Sequence, residues 1–214
     1  MTSTDALIHD LSANLAPVER RKIGREALAV LALGVAELAL ILMLHGPRDD
    51  MGQVILSPFM IWKIGSLALL AAVSCVAAMR SFAPQPSSRR WLLPMLFMGA
   101  AVIVSGILVT PAADSARSIL ARLDPAEGVI CTMWIIILAL PMVALLGMFM
   151  REAAPMRPRQ SAIAAGLAAS MCGALVFTAC CRMNDPLYIM VWYSVGVIAV
   201  TAAARWLLPW RFRL

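Results

Sequence analysis

The sequence predicts an all-α, polytopic membrane protein with six transmembrane helices and both termini in the cytoplasm. Three observations support this fold class: the composition, the recurrence of apolar segments and the distribution of basic residues between them. Hydrophobic residues make up 62% of the 214 residues and charged residues 14%, and the mean hydropathy is +0.85. Soluble domains have about 45–50% apolar and about 25% charged residues. This composition therefore cannot provide a normal water-facing surface.

Each apolar segment has the length that a bilayer requires, since a spanning helix needs roughly 20 mostly apolar residues to cross about 30 Å of hydrocarbon. The predicted spans are Ala27–His45, Pro58–Met79, Trp91–Val109, Val129–Met150, Ser161–Ala179 and Leu187–Leu208. One cleaved signal peptide does not explain the pattern, because the first twenty residues are polar. The chain then divides into an N-terminal cytoplasmic segment (1–26), a transmembrane domain (27–208) and a short basic tail (209–214).

Local signals mark several helix boundaries. Ser57-Pro58 and Asp185-Pro186 each place a capping side chain before a proline at the first helical position, where the missing N–H is not needed. Pro141 lies inside the fourth predicted span, where it removes a backbone hydrogen bond. We therefore expect two capped helix starts and one kink.

Connections that are rich in basic residues alternate along the chain with connections that are poor in them. Cytoplasmic loops retain Lys and Arg during membrane insertion. Thirteen lie on one predicted side: Arg20, Arg21, Lys22, Arg25, Arg80, Arg89, Arg90, Arg151, Arg157, Arg159, Arg205, Arg211 and Arg213. Four lie on the other: Arg48, Arg117, Arg122 and Arg182. Both termini are therefore predicted to be cytoplasmic, and the net charge of +6 needs no direct nucleic-acid partner to explain it.

The N-terminal segment contains a short amphipathic pattern. Its apolar stripe consists of Leu7, Ile8, Leu11 and Leu15. A helix this short is marginal in water unless another surface receives the stripe. That surface is either a soluble partner or the bilayer, and a frayed leader with no partner is the remaining alternative.

Two ionisable residues lie within predicted spans. Glu37 and Lys63 would each destabilise the protein by about 2.5–3.5 kcal/mol if they faced lipid unpaired. Because their spans are consecutive and antiparallel, we predict an intramembrane ion pair between them. The alternative is an ion site in a small-molecule or ion transporter or channel.

The five cysteines separate by predicted topology. Cys75 and Cys172 fall within spans and are interpreted as structural fillers. Cys131, Cys180 and Cys181 are predicted to reach the same outer face. In a bacterium this face would be exposed to the periplasm, which is an oxidising compartment. Adjacent cysteines seldom bridge each other, so Cys131 is expected to pair with Cys181 or Cys180. A structural disulfide and a redox or metal sensor both remain open at this point.

Several short motifs resemble one known family, the membrane-embedded anti-sigma factors called negative regulators of sigma F. The resemblance extends over nearly the whole chain. The residues that carry it are Leu7-Ile8-His9-Asp10-Leu11, Leu15-Ala16-Pro17-Val18, Ile61-Trp62-Lys63, Cys131, Leu140-Pro141, Cys181, Asp185-Pro186-Leu187 and Trp192-Tyr193. Relatives often have histidine before the second cysteine, whereas this chain has Cys180.

The resemblance implies a regulator of the bacterial inner membrane rather than an enzyme. It implies that the N-terminal segment, with Leu7, Ile8, Leu11 and Leu15, holds an extracytoplasmic-function sigma factor. It also implies that Cys131 and Cys181, with Cys180 as a further candidate, sense a periplasmic metal or oxidant. No resident cofactor is expected, although Cys131 and Cys181 would serve as ligands for a transiently bound heavy metal.

Overall fold

The computed structural model describes residues 22–46, 55–82, 92–109 and 122–211, together with Thr4, Ile8, His9, Ser12 and Gly52. Over these residues the fold is all-helical, with no strand. Its six helices are α1 Ile23–His45, α2 Pro58–Ser81, α3 Leu92–Val109, α4 Pro125–Ala153, α5 Pro158–Phe177 and α6 Pro186–Arg211. The all-α prediction is confirmed for this part of the chain. Five helices, all but α3, are long and apolar enough to cross a membrane.

The predicted helix starts are confirmed by their caps. The Ser57 hydroxyl accepts a hydrogen bond from the Met60 amide at 3.2 Å, and Pro58 is the first residue of α2. A carboxylate oxygen of Asp185 accepts from the Leu187 amide at 2.9 Å at the start of α6. Each side chain satisfies a backbone donor that the first turn of a helix leaves unpaired. Pro141 lies inside α4, which continues past it to Ala153.

Helix α5 is the centre of the bundle and packs against α2, α4 and α6. It can approach three helices because its buried face is made of small side chains, and small residues allow close packing of helices in membranes. Six alanines of α5 are fully buried: Ala162, Ala164, Ala165, Ala168, Ala169 and Ala174. The first helix, α1, packs against α4 and α5.

One end of the bundle contains the ends of α1 and α5 and the starts of α2, α4 and α6. We call it the thiol end, because Cys131 and the Cys180-Cys181 pair lie there. A buried cluster at this end includes Ile41, Ile135 and Tyr193. A second cluster, which includes Leu146 and Ala165, fills the other half of the bundle.

The contact between α5 and α6 generates a prediction about stability. A Cβ atom added at Gly166 would lie 2.8 Å from Ala204 Cβ and 2.9 Å from Thr201 Cα, so the α6 backbone would have to move. We expect Gly166→Ala to destabilise the protein by about 1–3 kcal/mol, the usual range for overpacking. The measurement is thermal unfolding in detergent followed by circular dichroism. Gly34→Ala is the control, since a Cβ at Gly34 meets nothing within 4 Å. Equal melting temperatures for the two variants would contradict this account of the α5–α6 contact.

Candidate functional site

The structure brings Cys131 and Cys181 together at the thiol end. Cys131 lies in the second turn of α4, and Cys181 lies in the connection between α5 and α6. Their side chains are hydrogen-bonded to each other, and both residues are buried, with 5% and 3% of their surface exposed. Both are free thiols. The site therefore joins α4 to the α5–α6 connection through two sulfur atoms that are able to react with each other.

Two tyrosines of α6 surround this thiol pair. The Tyr188 hydroxyl donates a hydrogen bond to Cys131 Sγ at 3.3 Å. Tyr193 is 4% exposed and packs in the same buried cluster, close enough to Cys181 for their charges to interact. Sequence reasoning did not identify Tyr188, although its position three residues after Asp185 places it in the first turn of α6. The tyrosines make α6 a third element of the thiol site.

Lys63 lies beside the same pair and is fully buried. Its amino group donates hydrogen bonds to the carbonyl oxygens of Met183, at 3.2 Å, and Cys181, at 3.4 Å. A buried ammonium group requires such partners, because burial removes its hydration. Lys63 therefore ties α2 to the backbone of the α5–α6 connection, and its positive charge acts on both thiols.

The predicted ion pair between Glu37 and Lys63 is not formed. Within the described part of the chain, neither carboxylate oxygen of Glu37 has a hydrogen-bond partner, although the residue is only 6% exposed. Two physical reasons account for the difference. Helix α1 packs against α4 and α5, and Glu37 lies near Cys172 in the interior of the bundle, whereas Lys63 lies at the thiol end. The transporter alternative required Glu37 and Lys63 to lie in one ion site. Their separate positions therefore do not support it.

The electrostatics of the site distinguish Cys181 from the adjacent Cys180. The hydrogen bond from Cys131 lowers the pKa of Cys181 to about 5, with further contributions from the Lys63 charge and the Met183 backbone that outweigh the opposing effect of burial. Burial and the neighbouring Cys181 charge raise the pKa of Cys180. Since the thiolate is the nucleophilic form of cysteine, these surroundings favour the nucleophilic form at Cys181 over Cys180.

A pocket of about 310 Å³ gives access to this thiol pair. Its lining includes His45 at the end of α1, Glu127 at the start of α4, and Cys131, Cys180 and Cys181. The Cys180 thiol donates a long hydrogen bond, 3.9 Å, to the Gly46 carbonyl. Among the described residues, no group of three His, Cys, Asp or Glu side chains is placed to hold a metal ion. The geometry therefore pairs Cys131 with Cys181 and leaves Cys180 outside the pair.

The backbone around the site is fixed by polar contacts at the thiol end. The Arg122 guanidinium donates two hydrogen bonds of 2.7 Å to the carboxylate of Asp185. Burial raises the pKa of Asp185, but this bidentate pair and the backbone donors outweigh burial and lower it overall. The Trp192 indole donates to the Leu123 carbonyl at 2.6 Å and packs on Gly128, where an added Cβ would meet the ring at 2.0 Å. The start of α4 is thereby held against α6.

Comparisons with known proteins give the family. Residues 11–214 match a family described as negative regulator of sigma F. The chain belongs to the negative regulators of sigma F. The family resemblance inferred from the short motifs is confirmed.

Two curated relatives are similar over nearly their full length. The anti-sigma-F factor NrsF of Caulobacter vibrioides is 32% identical over 211 residues, which cover 96% of this chain and 97% of that protein. A probable anti-sigma-F factor NrsF of Azospira oryzae is 29% identical over 205 residues, which cover 93% of each chain. No solved structure matches.

The family motifs acquire distinct structural roles at the thiol end. Lys63 and Cys181 are in direct contact, and Trp192 and Tyr193 pack around the same site. Of the N-terminal stripe, Leu7, Leu11 and Leu15 lie outside the described residues. Ile8 is described as helical and is 59% exposed. Its role in partner binding remains a prediction.

The contact between Lys63 and the thiol site generates a prediction about reactivity. Lys63→Gln keeps a donor for the two carbonyls but removes the charge, so we expect the pKa of Cys181 to rise. At pH 6, alkylation of Cys181 by iodoacetamide should slow, by about twofold if its pKa rises one unit from about 5, because the thiolate fraction falls. Mass spectrometry of the labelled peptides measures this rate residue by residue.

Two controls accompany this measurement. Lys63→Arg retains the charge and should keep most of the reactivity of Cys181 at pH 6. Alkylation of the denatured proteins is the second control, because unfolding separates Lys63 from Cys181 and should make the rates of the variant and the wild type equal. If Lys63→Gln left the pH profile of Cys181 unchanged, the electrostatic role of Lys63 would be excluded.

Proposed function

We propose that this protein is an anti-sigma factor of the cytoplasmic membrane that releases its sigma factor when Cys131 and Cys181 react. The family membership supports the anti-sigma role. The observation that carries the sensory part is the direct contact of the two thiols in a pocket at one end of the bundle. The partner is an extracytoplasmic-function sigma factor, which binds the N-terminal segment.

The positions of the two functional regions support a signal that crosses the membrane. Helix α1 has 23 residues and ends with His45 at the thiol end. Its first residue, Ile23, therefore lies about 34 Å away along the helix axis. The N-terminal segment enters the bundle there, opposite the thiols. The excess of Lys and Arg on that side supports a cytoplasmic location for the termini and a periplasmic location for the thiols.

Two reactions suit a buried pair of thiols. Hydrogen peroxide removes two electrons and two protons from Cys131 and Cys181, which leaves a disulfide and two molecules of water. Alternatively, a soft metal ion displaces both thiol protons and binds the two sulfur atoms. Either product replaces the hydrogen bond between the thiols with a covalent or coordinate link between α4 and the α5–α6 connection.

The transmission of this change starts from contacts already present at the site. Movement of the Cys181 backbone displaces a carbonyl group that Lys63 requires, so the change reaches α2. Movement of Cys131 changes α4, which packs against α1. A switch from mostly bound to mostly released sigma factor requires about 5 kcal/mol of differential affinity. Disulfide or metal–thiolate bonds provide free energies of this order.

The docking part of the proposal is tested in the N-terminal segment. Changing Leu7, Leu11 and Leu15 together to Asp should abolish co-purification of the sigma factor, because the apolar stripe becomes charged. Pull-down from solubilised membranes followed by mass spectrometry identifies the partner and measures its recovery. Ala13→Asp, which at 100° per residue adds charge on the face opposite the stripe, is the matched control and should retain binding. Retention of the sigma factor by the triple variant would exclude docking through the stripe.

The sensory part is tested with single cysteine variants. Cys131→Ser and Cys181→Ser should each repress the sigma-dependent promoter as well as the wild type but fail to release it on exposure to an oxidant or a soft metal. A transcriptional reporter measures both properties. Cys180→Ser should respond normally, since its thiol lies outside the pair. Equal loss of induction in all three variants would contradict the assignment of the sensor to Cys131 and Cys181.

A further inference from the structure

A second pair of thiols lies in the interior of the bundle. Cys75 Sγ and Cys172 Sγ are 3.6 Å apart, which is contact distance for two sulfur atoms. Both residues are partly exposed and carry free thiols. Cys75 belongs to α2 and Cys172 to α5, so the contact joins two closely packed helices. The sequence predicts both residues as unrelated fillers, and their contact follows only from the fold.

This interior pair is separate from the thiol pair at the end of the bundle. Cys75 lies twelve residues after Lys63 on the same helix, which corresponds to about 18 Å along the axis. Cys75 and Cys172 both pack against the buried cluster that fills the half of the bundle away from the thiol end. Both lie within helices long and apolar enough to span a membrane. An oxidant that reaches them must therefore be soluble in the hydrocarbon layer.

The surroundings of the pair favour thiol oxidation over metal binding. No third Cys, His, Asp or Glu ligand completes a metal site in the part of the chain that the structure describes. A disulfide requires the sulfur atoms to approach, and its formation from two thiols leaves no net charge in the low-dielectric interior.

We propose that Cys75 and Cys172 form an intramembrane redox site, in which a lipid-soluble quinone oxidises the two thiols to a disulfide. Two S–H bonds break and one S–S bond forms. The quinone accepts the two electrons and two protons and becomes a quinol with two new O–H bonds. Quinones already serve as the final acceptors for thiol electrons in the bacterial envelope, so the oxidant is available in the same membrane.

Glu37 is the candidate proton acceptor for this chemistry. Thiol oxidation begins with a thiolate, so a proton acceptor must be close. Glu37 is the ionisable group of α1 that acts electrostatically on Cys172, and both of its carboxylate oxygens lack hydrogen-bond partners among the described residues. An unpartnered buried carboxylate is costly, and a role as proton acceptor for the thiol pair gives it a function.

The disulfide would fix α2 to α5 in the middle of the bundle. Those two helices also meet at the thiol end, where Lys63 of α2 contacts the backbone that follows α5. An oxidised interior pair would therefore restrict movement between the same two helices that border the sensory site. The redox chemistry of the interior pair requires neither a sigma factor nor the proposed sensor.

The test uses the full-length protein in lipid nanodiscs with Cys131, Cys180 and Cys181 changed to Ser, so that only the interior pair remains. The oxidant is a fully substituted ubiquinone analogue with a short alkyl tail, which has no free ring position for thiol addition. After denaturation and alkylation, intact mass spectrometry counts the remaining thiols. We expect both thiols to disappear together, the unlabelled chain to become lighter by two hydrogen atoms, and a reductant to restore both labels.

Three further measurements complete the test. Adding Cys75→Ser should leave Cys172 fully labelled after quinone treatment, and Glu37→Gln should slow disulfide formation at least severalfold. In the wild-type chain, peptide mapping should recover Cys75 linked to Cys172, which covers the case in which the triple variant does not fold. The proposal is overturned if both thiols remain labelled after quinone treatment of wild-type protein, or if the disulfide joins two chains.

Discussion

The arrangement of the thiol end depends on the solvation of one buried charge. Lys63 has no exposed surface, so its ammonium group is stable only where the protein supplies acceptors. The carbonyl groups of Cys181 and Met183 do so, because the chain leaves helical geometry between α5 and α6 and releases backbone oxygens from helical hydrogen bonds. The irregular connection and the lysine therefore stabilise each other.

This interaction connects structure to chemistry. The same lysine that fixes the α5–α6 connection places a positive charge near the thiol of Cys181, and the thiol of Cys131 donates to that sulfur. A cysteine in such surroundings ionises more readily than an ordinary thiol. The pocket lies at the end of the bundle opposite the start of α1 and borders both thiols. Lys63 therefore contributes both to the ionisation of Cys181 and to the fixed position of the α5–α6 connection.

Helix α5 carries one member of the interior thiol pair and leads directly into one member of the pair at the thiol end. Its alanine-rich face lets it contact α2, α4 and α6 closely, and it carries Cys172 while leading into Cys180 and Cys181. A helix packed this tightly moves as a rigid body, because close-packed interiors do not deform continuously. In both proposals, sulfur chemistry would therefore act on interfaces of the same helix, α5.

The sequence by itself determined the all-helical class, the helix starts at Ser57 and Asp185, the separation of Cys131 and Cys181 from the other face of the bundle, and the family. These features depend on length, hydropathy, capping chemistry and short motifs, all of which are local in the chain. The sequence did not determine the partner of Lys63, the contact of Cys75 with Cys172 or the role of Tyr188. Each of these depends on which helices are neighbours, and the ion-pair prediction failed because consecutive helices were assumed to pack together. Side-chain volumes on α5 decide that arrangement, and they act only once all the helices are assembled.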